Sequence, residues 1–392
     1  MAMPGDRHVT RSISIFGATG SIGASTLDLL AREPAKWQVE AVTANCHATE
    51  LARLARLHKA RVAVVADEAC LPELRDALAG SGIEAAGGSA ALVEAAGREV
   101  DLTVAAIVGC AGLAPTMAAI RAGGTVALAN KEALVSAGEV MIAAVRQHGA
   151  TLLPVDSEHN AIFQCLAGND IADVRWITLT ASGGPLREWS MERLQSATAA
   201  EAVAHPNWSM GAKISVDSAT MFNKGLEFIE AYHLFPVGHD RLRIVVHPQS
   251  VIHSMVEYRD GSTLAQLGPA DMRVPIASAL AWPLRMDTPC APLDLPAIGQ
   301  LTFHAPDEAR FPATRLAREA VIAGGAAPAV LNAANEVAVA AFLAGQIRFT
   351  QIAHIVAQVL ETCCLPPPAS LDDVLAVDGQ ARRQASAMLE PA

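Results

Sequence analysis

Lysine is scarce in this sequence: only five of the 29 basic residues are lysine, and Lys131, Lys213 and Lys224 all stand in polar, Gly/Ser-rich segments. Acidic residues number 40, giving a formal net charge of −11. The clustered cations that release counterions from a phosphate backbone are missing, which excludes broad nucleic-acid binding but leaves room for a small anion held by a few focused cations. The seven cysteines (Cys46, Cys70, Cys110, Cys165, Cys290, Cys363 and Cys364) form no CxxC and no Cys/His zinc spacing. The expectation is reduced thiols in a cytoplasmic protein. The short polar stretch Met1–Arg11 has no apolar core, so no secretory signal is read there. A membrane span is lacking too: the uncharged stretch Leu102–Ile120 is broken by Gly109, Gly112 and Pro115 and reads as a strand, a turn and a helix start. Disorder is excluded, because 52% of residues are hydrophobic and disorder needs low hydrophobicity with high net charge. A chain of 392 residues calls for two or three domains.

What is present begins with alternation. Ser12–Phe16, Trp37–Thr43, Arg61–Ala66, Leu102–Val108 and Thr125–Ala129 read as strands, with Ser21–Ala31 and Thr49–His58 among the helices between them. Such a pattern calls for a parallel sheet covered on both faces, an α/β fold. From Thr151 to about Tyr258 the chain turns rich in His, Asn, Ser, Trp and Gly. A proline cluster (Pro283, Pro289, Pro292, Pro296) then reads as an extended linker. Beyond it, Ala313–Gly324, Ala329–Gly345, Thr350–Cys363 and Ser370–Ser386 read as successive helices.

Gly17-Ala18-Thr19-Gly20-Ser21-Ile22-Gly23 follows the first strand and opens a helix. Glycines at such a turn let backbone approach a pyrophosphate, while the helix start supplies N–H groups and positive dipole. The second strand leads into Asn45-Cys46-His47. No Asp or Glu stands there to hold a ribose 2′-hydroxyl, which tilts the choice towards NADP.

Asp156-Ser157-Glu158 ends the apolar run Leu152–Val155. Two carboxylates two apart on an extended segment share a face and suit one hard cation; equally, Ser157 serves as the cap of a helix starting at His159, with Glu158 in its first turn. Asn223, Lys224 and Glu227 share one helix face. With Ser218 at or near that helix's start they suit a phosphate, or else Asp217 is a simple cap and Lys224–Glu227 a surface pair. Thr180-Ala181-Ser182-Gly183-Gly184-Pro185 offers a hydroxyl beside permissive backbone. His205-Pro206-Asn207-Trp208-Ser209-Met210-Gly211 has the composition of an active-site lid or of a structural loop packed on Trp208. In His247–His253 the two histidines serve equally well as buried, satisfied groups. A cysteine-dependent dehydrogenase built on the same glycine turn would use Cys110.

Taken together, Gly17–Gly23, Leu128–Glu132, Val155–Asn160, Ser182–Pro185, His205–Gly211, Lys213–Glu227, His247–Ser254 and Leu331-Asn332-Ala333-Ala334-Asn335-Glu336 resemble the 1-deoxy-D-xylulose 5-phosphate reductoisomerase family over nearly the whole chain. The resemblance implies a Rossmann-like NADPH-binding domain (1–155), a central α+β catalytic and dimer-forming domain (156–288), a linker (289–312) and a C-terminal helical domain (313–392). It implies Asp156, Glu158 and Glu227 as ligands of Mg²⁺, Mn²⁺ or Co²⁺, and Ser182, Ser218, Asn223 and Lys224 as partners of the substrate phosphate. Lys131, Ser157, Glu158 and His205 would face the sugar, with Trp208 over it. Gly17, Thr19, Gly20, Ser21, Ile22, Gly23, Asn130, Glu132 and Gly211 would meet NADPH, joined by Asn45, Cys46 and His47 near its 2′-phosphate. At that last place the chain departs, for many members carry a basic residue where Cys46-His47 stands.

Overall fold

The apolar runs of the first part pair into a seven-stranded sheet in the computed structural model, which describes residues 10–208 and 210–389. Most of the Met1–Arg11 stretch, and Ser209 of the 205–211 loop, lie outside the described residues. The strands are β1 (Arg11–Phe16), β2 (Trp37–Ala44), β3 (Val62–Val65), β4 (Glu84–Gly87), β5 (Leu102–Ala105), β6 (Thr125–Leu128) and β7 (Thr151–Pro154). They lie in the order β4-β3-β2-β1-β5-β6-β7, every neighbouring pair parallel. β3 and β5 are buried along their whole length, as strands with helices on both faces must be. Strand order reverses beside β1, and such a switch point leaves a crevice at the carboxyl ends of the strands.

Two details differ from the sequence reading. The strand expected to reach Val108 stops at Ala105, because the Ala105 carbonyl already accepts from both Ala129 and Asn130 N–H. Val108 beyond it is 64% exposed. β4 was not anticipated, since Glu84-Ala85-Ala86-Gly87 has no branched or aromatic residue to mark a strand.

By its internal contacts the chain forms two compact units. The first holds the residues up to Asn130, Ala143–Asp156 and Met272–Pro289, and the second holds Lys131–Ile142, Ser157–Asp271 and the chain from Cys290 onward. In the second, β8 (Val174–Ala181), β9 (Leu242–Val246), β10 (Ile252–Tyr258) and β11 (Thr263–Leu267) form a mixed sheet in the order β11-β10-β8-β9. Helices Ala212–Thr220 and Phe222–Leu234 share a single apolar core with the four C-terminal helices, through Val216, Phe228, Leu316, Val339 and Ile352 among others. Those four helices run Ala313–Ala323, Ala327–Leu343, Phe349–Thr362 and Leu371–Ala387. Among the described residues no helix is long and apolar enough to cross a membrane.

Candidate active site

In the first unit the glycine turn closes off β1 at the switch point. Gly17 has φ +90°, and a Cβ there would lie 2.6 Å from the Ala106 carbonyl oxygen. At Gly23 a Cβ would lie 2.3 Å from the Gly17 oxygen, so the helix Ser21–Arg32 approaches the turn as only glycine permits. Gly20 is the cap residue of that helix and offers no side chain to its first N–H groups, which therefore face outward beside exposed Ser21 and half-buried Thr19 and Ile22. Asn45, Cys46 and His47 follow β2 and are all exposed. Asn130 is buried and donates to the Gly109 carbonyl at 2.9 Å, bracing the loop after β5.

The acidic group forms around two helices. The helix Ser157–Leu166 begins at Ser157, one turn-half earlier than the cap reading supposed. Asp156 immediately precedes it and Glu158 lies in its first turn, so the two carboxylates converge through a helix start and not through strand alternation. Glu227 comes from the helix Phe222–Leu234. Oxygens of Asp156, Glu158 and Glu227 lie within 4.8 Å of one another. Oxygens around a hard cation at about 2.0–2.6 Å stand at comparable spacings, so the donor set fits such an ion.

Lys224 and Glu227, far from being a surface pair, are 4% and 0% exposed and bonded to each other. Lys224 Nζ also lies 3.3 Å from Glu158 Oε1. Lys131 Nζ reaches Asn223 Oδ1 at 3.0 Å and Glu227 Oε1 at 3.1 Å, and Asn223 donates to the same carboxylate. From beneath, His159 Nε2 meets the Glu227 carbonyl at 2.9 Å while its Nδ1 lies 3.2 Å from Glu230. Ser157 Oγ donates to Glu158 at 2.6 Å.

Ser218 is not at the start of the helix bearing these groups. It lies in the last turn of Ala212–Thr220, and the next helix starts only after Met221, at φ +66°. The same helix holds Asp217 in its buried interior, so Asp217 is no cap. The Ser182–Pro185 loop nonetheless reaches the backbone at Ser218: a Cβ at Gly184 would lie 2.5 Å from the Ser218 carbonyl oxygen. Ser182 Oγ accepts from Gly184 N–H at 3.1 Å and sits 2.9 Å from His205 Nε2.

His205 Nδ1 accepts from the N–H groups of Asn207 and Trp208 at 3.1 and 3.0 Å. It is therefore unprotonated, and the proton is on Nε2, donated towards Ser182. Burial lowers the His205 pKa, which favours this neutral form. Half-buried Trp208 is tied through its indole, Nε1 donating to Ser250 Oγ at 3.1 Å, with the His253 ring edge-on at 5.9 Å. Buried His247 meets the Thr302 carbonyl through Nδ1 and accepts from Val251 N–H at Nε2, as a satisfied histidine; buried His253 meets the Gly268 carbonyl through Nε2, while its Nδ1 has no hydrogen-bond partner among the described residues. Ser250 was missed in the sequence; its φ of +52° has no signature in Gln249-Ser250-Val251.

Glu132 is 5% exposed and its Oε1 accepts from Lys213 Nζ at 2.8 Å. Burial alone would raise this carboxyl; the Lys213 charge and hydrogen bond outweigh it and hold the pKa low. Gly211 is exposed and caps the helix that carries Lys213.

Comparison with known proteins agrees with these features along the whole length. Profiles described as 1-deoxy-D-xylulose 5-phosphate reductoisomerase, its C-terminal domain, and the DXP reductoisomerase C-terminal domain match residues 13–138, 152–235 and 267–384. The 1-deoxy-D-xylulose 5-phosphate reductoisomerase of Zymomonas mobilis is 58% identical over 97% of this chain and 98% of its own; that of Rhodospirillum centenum is 56% identical over 98% and 96%. The Zymomonas mobilis enzyme solved in complex with NADPH superposes with a TM-score of 0.93 at 56% identity, covering 98% of this chain and 100% of that one. A DOX-P reductoisomerase in complex with NADPH, fosmidomycin and magnesium also gives 0.93, at 43% identity over 97% and 98%. Motif, fold and full-length identity agree, and the chain belongs to the 1-deoxy-D-xylulose 5-phosphate reductoisomerase family.

Proposed function

We propose that the chain converts 1-deoxy-D-xylulose 5-phosphate to 2-C-methyl-D-erythritol 4-phosphate, using NADPH and a divalent metal ion, Mg²⁺ or Mn²⁺ with Co²⁺ as a third choice. The observation that carries this reading is the convergence of Asp156, Glu158 and Glu227 beside two buried lysines, in a family member. Asp156, Glu158 and Glu227 hold the ion, which supplies Lewis-acid polarisation of substrate oxygens during the skeletal rearrangement. NADPH supplies the hydride that reduces the rearranged aldehyde. The glycine turn Gly17–Gly23 with Asn130, Glu132 and Gly211 binds this cofactor. Asn45, Cys46 and His47 lie towards the 2′-phosphate.

Ser182, Ser218, Asn223 and Lys224 hold the substrate phosphate, a remote group whose binding energy serves to orient the reacting carbons. Lys131, Ser157, Glu158 and His205 face the sugar. His205, donating from Nε2–H to Ser182 Oγ, leaves the Ser182 hydroxyl hydrogen for the phosphate. Trp208, held through its indole N–H by Ser250, closes over the substrate and excludes water. The domain plan follows: residues 1–155 bind cofactor, 156–288 catalyse and dimerise, 289–312 link, and 313–392 form a helical support, in a cytoplasmic homodimer.

The test is oxidation of NADPH, followed at its absorbance, with the deoxyxylulose phosphate present. Turnover is expected with Mg²⁺ or Mn²⁺ and abolished by a chelator. Turnover indifferent to chelator but lost in Cys110→Ala would overturn the reading in favour of a cysteine-dependent dehydrogenase.

A further inference from the structure

The roles above leave Lys213, Asp217 and the motif Leu331–Glu336 unused, yet the structure joins them to Lys131. Glu132, the residue after Lys131, is gripped by Lys213 Nζ at 2.8 Å. Lys213 Nζ also lies 2.9 Å from Asp217 Oδ2, one turn further along the same helix. Asp217 Oδ1 in turn accepts from Asn335 Nδ2 at 2.8 Å. From the same C-terminal helix Asn332 Nδ2 donates to Ser136 Oγ at 3.3 Å, one turn after Glu132. Asn332 and Asn335, three residues apart, share one helix face. Three helices, Lys131–His148, Ala212–Thr220 and Ala327–Leu343, are thus cross-linked through a buried polar chain.

The chain is buried almost throughout: Asp217 is 1% exposed, and Asn332 and Asn335 are 0% exposed. Polar groups in such places destabilise unless bonded. The carbonyl oxygens of Asn332 and Asn335 lack hydrogen-bond partners among the described residues, so what these amides contribute is directed N–H donation. Burial alone would lower the Lys213 pKa, but the charges of Asp217 and Glu132 outweigh it and raise the pKa, so the ammonium at the middle stays charged. Lys131 and Glu132 open one helix about 100° apart around its axis. Lys131 reaches one neighbouring helix at Asn223 and Glu227, and Glu132 is held from another. Because the two residues are adjacent on one turn, a rotation of that turn that frees Glu132 shifts the Lys131 backbone with it.

We infer that Lys213 is a positioning residue for Lys131, acting through the Glu132 carboxylate, and that Asn335 of the C-terminal helices fixes Lys213 by orienting Asp217. The inference rests on the reading that Lys131 faces the substrate. The C-terminal helices then serve catalysis by setting the angle of one lysine.

The test is steady-state kinetics on full-length variants, with rates expressed per NADPH-binding site so that unfolded protein does not count. A misplacement of about 1 Å can cost ~100-fold in rate, so Lys213→Met is expected to lower kcat by about tenfold to a hundredfold. The KM for the phosphorylated substrate should stay within about threefold, because Lys224, bonded to Glu158 and Glu227 outside the Lys213 chain, still meets the phosphate. Lys213→Arg, which retains the cation, should recover most of the loss. Asn335→Leu, of similar size and remote from the reacting atoms, should lower kcat in the same sense but less, again without raising KM.

A kcat per site within about twofold of the parent in both Lys213→Met and Asn335→Leu overturns the inference, whatever their melting temperatures. Loss in Lys213→Met alone removes the part assigned to Asn335. If Lys213→Met does not fold, Asn335→Leu decides. Parent-like turnover of Lys131→Ala, measured beside them, overturns the reading of Lys131 itself, whereas loss there with none in the other two overturns only the positioning chain.

Discussion

Replacing Glu227 by Gln removes one charge and leaves the shape. Had this glutamate been exposed, as a sequence reading of Lys224–Glu227 as a surface pair supposes, the change would scarcely touch stability. The structure says otherwise: Glu227 is 0% exposed and its two oxygens are shared among Lys131, Asn223 and Lys224. Removing one partner from a buried ion pair leaves its counterpart uncompensated and costs about 3–5 kcal/mol. In chelator, Glu227→Gln is therefore expected to unfold earlier in urea by an amount of that order. Added divalent ion separates this cost from the loss of the ligand. A ligand at a hundredfold excess over its Kd stabilises the native state by about 2.7 kcal/mol. The parent should gain this from Mn²⁺, and Glu227→Gln should gain little, because one of three carboxylates is gone and two buried ammonium groups now repel the ion. Turnover should vanish while NADPH binding persists. Equal Mn²⁺-induced stabilisation of parent and variant, or metal-dependent turnover in the variant, would refute the assignment of Glu227 as a ligand.

Lys224→Ala should raise the KM for the phosphorylated substrate by about tenfold to a hundredfold, the worth of a hydrogen bond to a charged group, and leave that for NADPH unchanged; equal effects on both place Lys224 elsewhere. The same variant should tighten the divalent ion, since Glu158 and Glu227 lose a competing cation, and calorimetry would read the sign. The His205 pKa is lowered by burial, and Nδ1 holds two loop N–H groups only while unprotonated. The loop's stabilisation is thus present above the ordinary histidine pKa of about 6.5 and lost as pH falls through it towards the lowered folded value. Limited proteolysis at the 205–211 loop should accelerate below about pH 6.5, and a pH response unchanged in His205→Gln would refute this. Cys46→Arg should tighten NADPH by about tenfold or more, through a charge-assisted hydrogen bond, and scarcely alter NADH; no change for either means that other residues read the 2′-phosphate.

Most of the nucleotide-binding fold was legible because its cues are local. Apolar runs such as Ile13–Phe16 and Val62–Val65 mark buried strands, and Gly23 is demanded by the oxygen of Gly17 in the same turn. The acidic site was legible in composition but not in environment. Nothing in Asn223-Lys224-Gly225-Leu226-Glu227 tells a solvent-facing pair from a buried one, because the burial comes from the core that this helix shares with the C-terminal helices. The break at Met221 was equally hidden. Thr220-Met221-Phe222 contains neither Gly nor Pro, and a non-glycine residue at positive φ is held there by tertiary packing. That unmarked break is why Ser218 seemed to open a helix whose predecessor it closes. The tie between Asp217 and Asn335 spans 118 residues of sequence, and no local periodicity announces a partner at that distance.

The lysines that share the acidic centre also set an order of assembly. Asp156, Glu158 and Glu227 bring three formal negative charges, and Lys131 and Lys224 bring two positive ones; with the adjacent His159–Glu230 ion pair adding no net charge, the centre is left with one negative charge. A phosphorylated sugar carrying close to two negative charges meets repulsion there. One divalent cation reverses the sign, and the same pocket then attracts the sugar. Ion before substrate is thus the downhill sequence of arrival, and after reaction the product's charge keeps the ion in place until the product has left.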